Sequence, residues 1–229
     1  MQDPDIAELV RRWISGWVVS RGAAEPAAAP WGWSIDVGAP TGEVARHVLP
    51  HPVEDDVRKI AGATTAPGTW LKLFAADDTV RPWLGPEWRL AGPGHLMSLP
   101  LDGAERPAPP AGYTVTTWLR GGVVRALVRT SAGHLAARGQ AGLAGPVAVP
   151  DQIVTSPDHR RRGLGSVVMG TLQHAAREAG AAQAVLVGTP DGRALYSALG
   201  WTVHSPMASL VLQPEARADG GQREEGAQR

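Results

Sequence analysis

Cysteine is absent from the 229 residues, phenylalanine occurs once, tyrosine twice, and the only lysines are Lys59 and Lys72. The missing cysteines exclude a disulfide scaffold, a thiolate zinc site and a cysteine nucleophile, so core burial has to supply the stability, which a chain of this length can do. No apolar run approaches the ~20 residues that cross a bilayer, and the opening MQDPDIAELVRRW carries acids where a signal peptide carries bases. A cytoplasmic protein is expected, with no membrane partner. Surplus charge is absent too: 22 Lys and Arg balance 22 Asp and Glu, which argues against a nucleic-acid coat. No spacing of His, Asp and Glu suggests a metal site.

What is present divides into parts. Two Pro/Ala segments, 21–30 and 103–112, suit extended connectors. The second splits the chain into an N-terminal region, 1–102, and a C-terminal domain, 113–213; the tail 214–229 has almost nothing apolar to bury and is expected to be disordered. After residue 112 the pattern reads as TVTTW, VVRALVRT, LAARGQAGL and VAVPDQIVT in strands, a helix from Leu164 stopped by Gly180, the strand AQAVLVG, the helix DGRALYSALG, then WTVHSP and MASLVL as two strands. That order predicts a mixed α/β (α+β) fold. Residues 69–101 run strand, short helix ending in Leu-Gly, Trp, strand, as do residues 184–212. An internal duplication fits this, and so does the general likeness of strand-helix-strand units.

Residues 150–170, PDQIVTSPDHRRRGLGSVVMG, carry the chemistry. A strand leads into Arg160-x-x-Gly163-x-Gly165 and an amphipathic helix. The glycines admit backbone angles and close approach that a Cβ blocks, and consecutive N–H groups at a helix start converge on an anion. A diphosphate cradle results. Neither a dinucleotide-binding GxGxxG nor a GxxxxGK[ST] loop is present. Taken alone, RxxGxG also fits a tight turn with solvated arginines. Two further features bear on it: the strand ends in Ile153-Val154-Thr155-Ser156-Pro157, and LYSALGW follows at 195–201 behind a buried strand.

With these three elements in order and spacing, residues 113–212 resemble the GCN5-related N-acetyltransferase (GNAT) superfamily. The resemblance implies a mixed sheet whose two parallel strands splay around acetyl-CoA, the co-substrate. It implies that backbone groups of Ile153, Val154 and Thr155 pair with the pantetheine arm, and that N–H groups of Arg161, Arg162, Gly163, Leu164, Gly165 and Ser166 hold the pyrophosphate. The side chains of Arg160, Arg161 and Arg162 either reach the 3′-phosphate or are solvated. Tyr196 matches the tyrosine that protonates the departing thiolate, a task for which a phenol protonated at neutral pH is suited; a core tyrosine is the plain alternative.

The sequence departs from the family pattern in several places. Thr189 stands where an asparagine often contacts the pantetheine arm, and Gly192 replaces an alanine, which loosens that helix turn. The two helices that cover the acceptor site in the family are missing between Trp118 and Val123, so the first half, with DIAELVRRWISGW and VEDDVRKIAG at helical spacing, is expected to form that wall. For a general base, Asp151 is the best remaining acid: strand alternation places it on one face with Ile153 and Thr155. Trp31 or Trp33 either packs in the core or lines an apolar acceptor pocket.

The expected function is therefore transfer of an acetyl group from acetyl-CoA to a small-molecule amine. The rivals are a non-catalytic acyl-CoA-binding sensor and, from HRRRG, a nucleic-acid patch. Charge adds one expectation. Residues 1–110 hold 14 acids and 10 bases, residues 111–229 hold 8 acids and 12 bases, so a net −4 half faces a net +4 half. The basic surplus accompanies the polyanionic cofactor, and the acidic surplus suggests a cationic acceptor.

Overall fold

The computed structural model of the protein describes residues 5–38, 42–103 and 106–213. The expected disordered tail, 214–229, lies outside them. In chain order the elements are α1 (Ile6–Arg21), β1 (Ala27–Ala29), β2 (Gly32–Asp36), β3 (Ala45–Leu49), α2 (Glu54–Ala63), β4 (Thr69–Leu73), α3 (Asp77–Val80) and β5 (Trp88–Pro100). After the connector follow β6 (Tyr113–Arg120), β7 (Val123–Thr130), β8 (Leu135–Ala144), β9 (Val147–Thr155), α4 (Leu164–Glu178), β10 (Gln183–Gly188), α5 (Pro190–Ala198) and β11 (Thr202–Leu212). The fold is α+β, with one mixed sheet flanked by helices, as the sequence led us to expect.

Eleven strands share that sheet in the order β1-β2-β3-β4-β11-β5-β10-β9-β8-β7-β6. The two halves interleave. β5, from the first half, lies antiparallel between β10 and β11, and β11 in turn lies antiparallel to β4. The two terminal strands expected at WTVHSP and MASLVL are a single strand, β11, whose register shifts between Val203 and Ser205. A bulge of this kind inserts one residue, here His204, without ending the ladder.

α1 covers one face of the sheet and the remaining helices cover the other. Val147, Val149 and Val185 join Leu9, Val10, Trp13 and Trp17 of α1 in one core, whereas Ala148, Ala184 and Leu186 join Met169 of α4 and Tyr196 of α5. Strand alternation sorts these neighbours to opposite sides. α1 forms because Asp5 caps it, accepting from Ala7 N at 3.0 Å, and Glu8 pairs with Arg11 and Arg12 one turn on. Its apolar stripe buries Trp13 and Trp17, and truncating either to alanine costs about 3–5 kcal/mol. The helix sits unusually close to the strands: a Cβ on Gly142 of β8 would lie 2.0 Å from the Gly16 carbonyl oxygen of α1. α1, from the first half, therefore covers this face of the sheet. The other helical expectation, VEDDVRKIAG, is α2, which buries Val57 and Ile60 against Leu49, Leu71 and Leu210.

Candidate active site

β9 and β10 are paired in parallel only at Val147 with Gln183 and Ala148 with Ala184. Beyond those positions they part, while β9 stays on β8 and β10 stays on β5. The edge of β9 from Val149 onward is left without a strand partner on that side, so its backbone groups are open to an extended ligand. At the parting, β9 bulges: its register on β8 shifts between Arg138 and Gln140, and Gln152 takes a left-handed φ of 54°.

That bulge corrects the expectation for Asp151. Alternation was expected to put Asp151 on one face with Ile153 and Thr155. Instead Asp151 points to α1, where Arg21 Nη2 donates to Oδ1 at 2.9 Å, Arg21 Nε donates to Oδ2 and Ser20 Oγ donates to Oδ2 at 3.0 Å. Ile153 packs on the α4 side with Val168 and Leu172. One inserted residue reverses the alternation between the two.

A cleft of ≈ 450 Å³ opens where the strands part. Its wall includes Ile153 and Thr155 of β9, the turn and helix start from Arg160, Arg161, Gly163, Leu164, Gly165 and Ser166, and Thr189 and Tyr196 from α5 and its cap. Three expected residues do not line it: Asp151 turns to Arg21 of α1, Val154 points outward at 46% exposure, and Arg162 turns toward β6. The turn suits an anion. Arg161 and Gly163 both take left-handed φ, 60° and 74°, and Gly163 caps α4 with no side-chain acceptor. Among the described residues, none of the N–H groups from Arg161 to Ser166 meets an acceptor. Six unfilled donors at the positive end of a helix fit a diphosphate.

Tyr196 sits in the cleft, 8% exposed, against Trp201 at 5.9 Å, and its hydroxyl has no protein partner among the described residues. Burial, and secondarily the charge of Asp151, pushes its pKa above the usual phenol value, so the group holds its proton at neutral pH. Gly192 has a reason beyond loosening the helix: a Cβ there would lie 3.0 Å from Tyr196 Cε2, and one on Gly188 would be equally close to the ring. The two glycines form the seat of the tyrosine. Thr189 caps α5, accepting from Gly192 N at 3.2 Å, which leaves its own hydroxyl proton to face the cleft.

On the α1 face the first half contributes a charged layer that sequence reasoning missed. Arg46 pairs with Glu43 and lies over the Trp17 ring at 3.7 Å, and Lys72 is buried, donating to Ser209 Oγ at 3.1 Å. Burial first, then the neighbouring Arg46, holds Lys72 well below the usual lysine pKa. Trp17 and Arg46, like Lys72 and Ser209, are far apart in sequence, and no local pattern marks their meeting. Trp31 lines a separate cavity of ≈ 460 Å³ with His47 and Ile60, and Trp33 packs on the α1 core. Among the described residues no group of His, Asp and Glu is placed to hold a metal ion, and no helix is long and apolar enough to cross a membrane.

Comparisons agree with this geometry. The fold resembles a GCN5-related N-acetyltransferase from Kribbella flavida, at TM-score 0.65 and 17% identity over 95% of this chain and 98% of that one. It also resembles a GCN5-related N-acetyltransferase-like protein from Streptococcus suis, at TM-score 0.58 and 12% identity over 90% and 98% of the two chains. A tandem GNAT protein from the clavulanic acid biosynthesis pathway matches at TM-score 0.50 and 16% identity over 70% and 69%. No curated protein matches the sequence. The family model described as acetyltransferase (GNAT) family matches residues 78–201, more than half of the chain, and so, with the split strands and the cradle in place, the chain belongs to that family.

Proposed function

We propose that the protein transfers an acetyl group from acetyl-CoA to a small-molecule amine. The observation that carries this reading is the single cleft in which an open strand edge, six unfilled N–H groups and a protonated tyrosine meet. The amine nitrogen bonds to the thioester carbon, the C–S bond breaks, and Tyr196 gives its proton to the departing thiolate. The pantetheine arm lies along Ile153, Val154 and Thr155 with Thr189 opposite, and the pyrophosphate sits on the N–H groups of 161–166.

Asp151 is the acceptor-side base in this reading, at the bulge on the face that α1 covers. It takes the proton of the amine only when Arg21 gives up its contacts. On that face Asp151 of the second half and Glu43 of the first, both half-buried, are already paired with Arg21 and Arg46, so these two carboxylates offer a cationic acceptor little. The same ion pair favours a second reading, a non-catalytic acyl-CoA sensor, because a carboxylate held by a guanidinium is a poor base. A screen of amines with acetyl-CoA, monitored by free thiol, separates the two. Thiol release with an amine supports the transferase, and CoA binding without release for any amine leaves the sensor. The shared order of β3–α2–β4–α3–β5 and β9–α4–β10–α5–β11, together with the likeness to a tandem GNAT protein, supports the first half as a degenerate second copy.

A further inference from the structure

The three consecutive arginines of the cradle have different tasks. Arg160 and Arg161 line the cleft, whereas Arg162 donates from Nη1 to the Tyr113 hydroxyl at 3.2 Å. That hydroxyl lies 3.0 Å from His159 Nδ1, and the two rings meet edge to face at 5.8 Å. The phenol oxygen accepts from the guanidinium and its hydroxyl hydrogen-bonds the imidazole, so one chain runs from Arg162 through Tyr113 to His159. His159 and Arg162 bracket Arg161, whose φ of 60° is costly for a residue with a Cβ. Tyr113 thus holds both ends of the strained turn.

Tyr113 comes from outside the motif. It is the first residue of β6, at the exit of the Pro-rich connector, where its N–H donates to the Pro110 carbonyl at 3.1 Å. Pro107 of the same connector lies against α4, 2.9 Å from where a Cβ on Gly170 would sit. The segment that joins the halves is therefore laid along the cradle helix and delivers one side chain to the turn.

We propose that Tyr113 is a positioning residue of the cradle. Through His159 and Arg162 it keeps the N–H groups of the turn converged on the diphosphate, and it withholds Arg162 from the cofactor. The proposal rests on the acyl-CoA reading, and its test separates the two. Tyr113→Phe removes the hydroxyl and keeps the ring. Calorimetry with CoA is expected to show binding weakened about tenfold, the scale of one hydrogen bond, with KM for acetyl-CoA raised in step and kcat at saturation unchanged. Arg162→Ala should do the same, and the double variant should be no worse than either, since all three break one chain. Hydrogen exchange across 157–163 in the ligand-free protein should rise in Tyr113→Phe. A wild type that binds no CoA defeats the acyl-CoA reading, while this exchange still reports on Tyr113. Unchanged exchange, unchanged CoA affinity or additive losses in the double variant would overturn the proposal.

Discussion

Two parallel strand-helix-strand units in this molecule share a topology and differ in whether they open. β3 and β4 stay paired from Ala45 with Thr69 to Leu49 with Leu73, and the turn between β3 and α2 carries Pro50 and Pro52, which have no N–H to offer. α2 then begins with Glu54, Asp55 and Asp56, carboxylates that complement the helix dipole from within. β9 and β10 part after two pairs, and α4 begins with Gly163, Gly165 and unfilled donors. The comparison shows what the unit needs to become an anion site. The strands have to diverge, and the helix start has to be left unneutralised for a ligand.

The sharpest break would come from separating the halves. A fragment 113–213 loses β5, the strand between β10 and β11, and is expected to show no cooperative melt alone but to form a soluble complex when coexpressed with 1–102. A cooperative melt of the isolated fragment would show that the interleaving is dispensable. Next in size is giving the second unit the chemistry of the first. Gly165→Glu adds a carboxylate to the cradle, where its Cβ would also lie 3.1 Å from Leu195 Cδ2, and calorimetry should show CoA binding lost by ~100-fold or more with the fold retained. Binding kept in this variant would place the diphosphate elsewhere.

Tyr196→Phe is expected to lower kcat about 10²-fold and leave CoA affinity within about twofold, and equal losses of both would contradict a proton-donating role. The pH profile adds a sign. Because the pKa of Tyr196 is raised, the donor form persists through neutral pH, so the loss of kcat that Tyr196 causes should lie on the alkaline side, above the usual phenol value. The variant should lack that limb. The smallest effect belongs to the first unit. Neutralising Glu54, Asp55 and Asp56 together should cost roughly 0.3–1 kcal/mol per carboxylate in thermal denaturation and leave CoA affinity untouched. A change in that affinity would mean that the first unit takes part in binding.

The cradle and its helix were legible because their signals are local. Arg160, Gly163 and Gly165 stand within six residues, and the stripe from Leu164 onward repeats at helical spacing. Tyr196 was legible through LYSALGW. The exchange of β5 and β11 was not, since pairing partners far apart in sequence leave no trace in either strand. Nor was the face of Asp151: Pro150 stands directly before the bulge at Asp151-Gln152, but a proline in a strand marks an edge as readily as a bulge. Arg21 and Tyr113 escaped notice for a different reason. One ends a helix and one begins a strand, ordinary positions whose importance comes only from what the fold brings beside them.

The contact of Gly16 with Gly142 bears on the seating of α1 as a matter of height. The helix rests on the backbone of β8 there, where a Cβ on Gly142 would lie 2.0 Å from the Gly16 carbonyl oxygen. A methyl group at either glycine would act as a shim, lifting the end of α1 that carries Arg21 away from Asp151 and deepening the space beneath. Two residues remote from the cleft thus set how closely Arg21 is held to Asp151.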